Sequence, residues 1–267
     1  MGIFLNLIQI GAVLITIAGV YFLSRKEQNQ VSMYLMLSTI GCLIVNCSYL
    51  LLIRSATAQE GLLAMRMESI GNAMLYYFLH MFVIEYLKIK RFRWIMGVWA
   101  AVECVNFICF WNDMTMPLVY RGISFVYNDR MGIMHVVREL GLLQMIRNGL
   151  IAFVLSGTLI YMLIRLFYGR IRVQSERNNL ARLIGAVFVI IGVMTFTMFM
   201  HHSFNLTPVC TSFAIVMIIQ GVFKGELLNA VDTGRGWVVE NMKSAFVVVD
   251  PASMPRKTAP SAFEMSP

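Results

Sequence analysis

A few ionisable and amide side chains stand where an otherwise apolar chain has least room for them. Glu103 lies in the middle of the apolar run 94–111, with Asn106 three positions on. A carboxylate at mid-membrane depth costs about 2.5–3.5 kcal/mol on insertion scales. Glu103 must therefore face a bundle interior, be neutral, or have a partner. It is either a group that handles a proton or a ligand, or half of a structural polar pair. Glu68, Asn72 and Tyr76 follow at i, i+4 and i+8 and share one helix face. That face either presents polar groups to an outward cavity or anchors a helix at the headgroups. Arg147 precedes the run 149–168, where it can pair with Glu68 or Glu139, meet an anionic ligand, or snorkel to the headgroups. His201 and His202 close the run 183–202. Adjacent helical side chains point about 100° apart, and a histidine metal pair needs i, i+4 spacing. His201 is thus a candidate ligand contact, and no metal site is expected.

Other chemistries are absent by motif. No P-loop, GxSxG, HExxH or acidic-glycine cyclase pattern occurs, and no cofactor is implied. A retinal protein needs a lysine in the middle of its last helix, whereas Lys224 falls at the end of the last apolar run. Cys42, Cys47, Cys104, Cys109 and Cys210 lie within or beside apolar runs without CxxC or Cys/His spacing. They read as small apolar residues.

The elements that must position these groups follow from composition. The 267 residues are 58% hydrophobic and 13% charged, against about 45–50% and about 25% in soluble domains. No single water-soluble core buries that excess, so the chain reads as a polytopic membrane protein with the lipid bilayer as its first partner. The 21 Met and 18 Phe suit lipid-facing surfaces. Seven apolar stretches stand out, roughly 3–23, 31–53, 69–87, 94–111, 149–168, 183–202 and 208–223. The last is short for the roughly 20 residues a span requires. The first lacks the basic lead and small-residue site of a cleaved signal peptide. The first two are nearly featureless, apart from Asn46 and Ser48 in the second, where an Asn is expected to bond a neighbouring helix.

The net charge of +8 would suggest nucleic acid in a soluble protein, but here the basic residues sit in short loops and act as topology signals, so nucleic-acid binding is not expected. With the N-terminus outside, the inner segments hold sixteen of the 22 Lys and Arg and the outer segments six. The bias predicts N-out, C-in, which requires an odd number of crossings. Glu85 should form an interfacial ion pair with the basic loop 88–93. Residues 112–140 form the longest outer segment, where alternation through 122–127 permits a hairpin or lid, with a plain connector the default. The basic segment 169–182 is expected to prolong the fifth helix and to turn near Asn178 and Asn179. Pro208 suits the first turn of the seventh helix.

The C-terminal stretch gives the one family resemblance. NLTP at 205–208, the apolar run after it, and ELLNAVDTGRGWVVENMKSAFVVVD resemble the N-terminal seven-helix region of bacterial sensor histidine kinases and related diguanylate cyclases. FVIEY at 82–86 looks like the end of that family's third helix, and Arg235, Val239, Glu240, Met242 and Asp250 stand in the family's linker positions. The likeness covers about residues 1–250. It implies an all-α, seven-transmembrane sensor over 1–223, a cytoplasmic linker helix and the start of a PAS-like strand over 224–250, and a disordered tail over 251–267. Signal relay would run through Leu228, Val231, Arg235, Glu240 and Met242, whose apolar members suggest a homodimer seam. The expected location is the bacterial cell membrane, multi-pass. After Asp250 no kinase or cyclase domain follows, so no enzyme activity is expected, and the output would be missing or lie on a separate kinase, cyclase or PAS-containing partner. An unknown small ligand would be the stimulus. Two other functions compete: a small-solute carrier or channel using Glu103 and Glu68 as coupling groups, and a non-catalytic membrane assembly or anchoring subunit.

Overall fold

The computed structural model describes residues 2–26, 29–89, 93–128, 132–168, 174–199 and 205–223. These are mostly helical. In chain order they form α1 (Gly2–Ser24), α2 (Gln30–Arg54), α3 (Ala58–Tyr86), α4 (Arg93–Trp111), a single turn α5 (Met116–Val119), strands β1 (Tyr120–Asn128) and β2 (Ile133–Leu140), α6 (Leu142–Tyr168), α7 (Gln174–Phe199) and α8 (Thr207–Phe223).

Local chemistry sets several boundaries. Asn29 opens α2 with a reciprocal cap: its side chain accepts from Ser32 N at 2.8 Å, and its own N–H donates to Ser32 Oγ at 3.0 Å. Thr57 opens α3 by accepting from Glu60 N at 3.2 Å, while the Glu60 carboxylate accepts from Ala56 N at 2.8 Å. Four helices are long and apolar enough to cross a membrane: α1 over Phe4–Ser24, α2, α4 and α6. α3 carries Glu60, Arg66, Glu68 and Glu85 along its length, and α7 opens on a polar stretch, QSERNNLAR, before its apolar part. α8 is apolar but spans only about 26 Å at 1.5 Å per residue. α6 is longer than the apolar run 149–168 suggests, beginning at Leu142. Asn178 and Asn179 lie within α7 instead of at a turn, so the polar stretch from Gln174 belongs to the following helix and not to the preceding one.

Small residues bring α2 and α3 together. A Cβ on Gly41 would sit 2.5 Å from Leu75 N and 2.9 Å from Gly71 O, and one on Gly71 would sit 2.8 Å from Val45 N. Ser38 Oγ donates to Leu75 O at 3.0 Å in the same seam. α8 is bonded to α1 and α2 through Ser212. Asn46 Nδ2 donates to Ser212 Oγ at 2.9 Å, Thr16 Oγ1 lies 3.3 Å from it, and Gln9 Nε2 donates to Asn46 Oδ1 at 3.0 Å. Asn46 thus bonds neighbouring helices, as expected, but α1 is not featureless: Gln9 and Thr16 are its polar contacts.

The long segment after α4 is a hairpin, not a plain connector. β1 and β2 pair antiparallel from Tyr120 with Leu140 to Asn128 with Ile133, with a register shift between Tyr120 and Gly122. Gly132 takes φ +63° at the turn, a left-handed conformation that glycine adopts without Cβ strain. The hairpin is held by Val119, Tyr120 and Ile133, which join Tyr49, Leu52, Ile53, Ala64, Met65 and Phe110 in one apolar cluster. At Gly141 the chain turns against the Leu118 carbonyl so closely that no Cβ fits. α6 therefore starts directly after β2, at Leu142.

Candidate functional site

α3 places Glu68, Asn72 and Tyr76 one turn apart on the face that looks under the hairpin. The start of α6 brings Gln144, Arg147 and Asn148 to the same space, and β2 adds Arg138. Together they line a cavity of about 560 Å³, whose wall is completed by Asn205, Thr207 and Pro208 at the start of α8. Much of its remaining lining is apolar, including Val45, Ile151, Leu155 and Ile191, with the hydroxyls of Tyr120, Ser156 and Thr195 among it.

Glu103 lies beside this cavity as Arg147's partner. Arg147 Nε donates to the two carboxylate oxygens at 2.9 and 2.8 Å, and Trp99 Nε1 donates to Oε1 at 3.0 Å. Both charged residues are buried, at 6% and 9% exposure. Trp99 is fixed in turn by His80, ring centroids 4.7 Å apart, and His80 Nδ1 lies 2.7 Å from Tyr76 O. The expected partners Glu68 and Glu139 are therefore replaced by Glu103, and Arg147 does not snorkel. The physical reason is depth: a buried guanidinium and a buried carboxylate each lower the other's desolvation cost.

Glu68 faces Arg138 instead, with Nη2 to Oε2 at 3.5 Å, a looser contact. Burial alone would lower the pKa of Arg138, but the facing Glu68 carboxylate and Tyr120 outweigh it and hold the guanidinium above its ordinary value. An amide relay lies alongside: Asn106 Nδ2 donates to Gln144 Oε1 at 3.1 Å, and Gln144 Nε2 donates to Asn148 Oδ1 at 3.1 Å. Asn106 was singled out by its position near Glu103. It bonds one turn further along, on the same side of α6.

Glu68, Asn72 and Arg147 thus meet at one cavity, with Glu103 one bond behind. His201 lies outside the described residues, as do Leu228, Val231, Arg235, Glu240 and Met242. Sequence reasoning passed over Arg138, Gln144 and Asn148, since polar residues in a loop or at a helix start carry no signal by themselves. Glu85 pairs with Arg93 at 2.6 Å, the ion pair with the basic loop that its neighbourhood predicted. Among the described residues no group of three His, Cys, Asp or Glu side chains could hold a metal.

A helical bundle with four helices long and apolar enough to cross a membrane, and a polar cavity beside a β-hairpin, points to a multi-pass membrane protein. Comparison with known families makes that particular: the family described as the N-terminal 7TM region of histidine kinase matches residues 7–231, and the chain belongs to it. The match supports a membrane sensory input region; it is not a match to a catalytic domain. Comparison with curated proteins returned no match.

Proposed function

We propose that this chain senses a small ligand in the cavity beneath the hairpin and transmits its presence through α8 to a cytoplasmic output. One observation carries the reading. The cavity wall includes both the polar set Glu68, Asn72 and Arg147 and the entry to α8, Asn205, Thr207 and Pro208. An occupant therefore touches the helix that leads into the linker. Shifts of about 1–2 Å in such a helix are enough to bias a bistable output element. In this reading α1, α2, α3, α4, α6, α7 and α8 are the seven crossings, N-out and C-in, in the bacterial plasma membrane. Residues 1–223 are the sensor. Residues 224–250 are a cytoplasmic linker helix and the start of a PAS-like strand, paired in a homodimer along Leu228, Val231, Val238 and Met242, and 251–267 are a tail. Relay through Arg235 and Glu240 acts on a kinase, cyclase or PAS-containing output.

The carrier alternative is disfavoured by the state of Glu103. A coupling carboxylate must be free to exchange its ion, whereas Glu103 is bonded by both Arg147 and Trp99. The test is disulfide cross-linking in native membranes of single cysteines placed along 224–243. A helical periodicity of about 3.6 residues is expected, with its phase or intensity altered by Asn72→Ala and Asn148→Ala. Absence of any dimer cross-link along the segment, or a pattern that no cavity substitution changes, overturns the proposal.

A further inference from the structure

The chemical class of the occupant follows from charge balance and from which donors are left over, provided the cavity is the sensory site proposed above. Among the described residues the charged side chains around it are two carboxylates, Glu68 and Glu103, and two guanidiniums, Arg138 and Arg147. The set is neutral as it stands. Adding a net charge to it beneath a low-dielectric bundle is unfavourable, so the occupant should carry none.

Yet the cavity is not suited to a plain apolar molecule. Arg147 is buried and lines it, and its Nη2 has no hydrogen-bond partner among the described residues. A buried donor of that kind calls for an acceptor. Asn148 ends the amide relay: its Oδ1 is taken by Gln144, which leaves its Nδ2 hydrogens available at the next position along α6. Asn72 adds an amide from α3 that has no side-chain partner among the described residues. Arg147 and Asn148, adjacent on α6, ask for a carboxylate, for which guanidinium and amide hydrogens are complementary. Glu68 is the converse. Its only cation among the described residues lies at 3.5 Å, too long for a strong charge-assisted bond, so its oxygens have capacity for a closer ammonium.

We infer that the cavity binds a small zwitterion of the amino-acid type, its carboxylate on Arg147 and Asn148, its ammonium on Glu68, and a short apolar side chain against the aliphatic wall of α6. Both orphaned capacities are filled and the balance of charge is unchanged. The volume of about 560 Å³ accommodates a molecule of that size with water.

The experiment uses the full chain in phospholipid nanodiscs and reads thermal unfolding. Three matched probe sets are made from alanine, valine, leucine, methionine and phenylalanine: the free amino acids, their N-acetyl derivatives, which are anions, and the decarboxylated amines, which are cations. At least one free amino acid should give a saturable rise in Tm, with its N-acetyl and amine counterparts at least tenfold weaker. Asn148→Ala should weaken that binding tenfold or more, and Glu68→Gln should reduce the preference for the free amino acid over its N-acetyl form. Equal or better binding by the N-acetyl acids or by the amines overturns the zwitterion assignment, while leaving a ligand-gated sensor intact. No shift from any set also overturns it, and the sensory reading is then decided separately by the cross-linking of 224–243. Binding of free amino acids that Asn148→Ala and Glu68→Gln both leave unchanged moves the site elsewhere and overturns the assignment to this cavity.

Discussion

Replacing Glu103 by Gln isolates the strongest electrostatic contact in the bundle. The side chain keeps its shape and can still accept from Trp99, but Arg147 loses its counter-charge. At 2.8 Å and an effective dielectric constant of about 20, the gross attraction is roughly 6 kcal/mol. Much of that offsets the cost of dehydrating two buried ions, and removing one partner of such a pair typically costs about 3–5 kcal/mol. Glu103→Gln should therefore destabilise by about that amount. Arg147→Met should cost less, because a carboxyl deprived of its cation can take up a proton, whereas a guanidinium stays charged. The double variant should recover most of the loss, giving a coupling energy of about 3 kcal/mol. Unfolding titrated with sodium dodecyl sulfate in bicelles, followed by circular dichroism, measures all three. A Glu103→Gln variant as stable as wild type, or single losses that simply add in the double variant, would refute the pairing as the reason both charges tolerate burial.

Three further outcomes follow from the packing. Gly41→Ala should destabilise by about 1–3 kcal/mol in the same assay, since its Cβ would meet backbone atoms of α3 that cannot swing aside. Asn46→Ala strips a partner from both Gln9 and Ser212 and should cost about 1–3 kcal/mol, whereas Ser212→Ala should cost about 0.6 kcal/mol, the typical worth of one interhelical bond in a membrane. Asp113→Asn should change stability by less than about 1 kcal/mol, because Asp113 is largely exposed and its bond to Arg66 is a surface pair; a larger loss would show that the end of α4 is held by that contact.

The parts of the site written as periodicity or as depth were legible in the sequence. Glu68, Asn72 and Tyr76 share a face because helical spacing requires it, and Glu103 had to have a partner because of where it lies. Which partner could not be read. Arg147 is 44 positions away, and whether it meets Glu103 on α4 or Glu68 on α3 depends on how α6 lies against those two helices. Arg138 was hidden for a similar reason. In β2 it is an ordinary polar residue until the hairpin folds over α3. Gln9 could have been found: an amide inside an apolar run calls for a bonding partner, and the same reasoning that singled out Asn46 applies to it. The boundary between α6 and α7 was misplaced because basic loop residues and a polar helix end share one composition.

The most direct test of the account is which side of the membrane each end of the signal path occupies. In a chain whose own five cysteines are replaced by alanine or serine, a single cysteine is placed at Tyr127, which is exposed on the hairpin, and in a second chain at Lys243. Membrane-impermeant maleimide should label Tyr127→Cys in intact cells, and Lys243→Cys only after the cells are permeabilised. Labelling of both positions from the same side would contradict a sensor that receives on one face and delivers on the other.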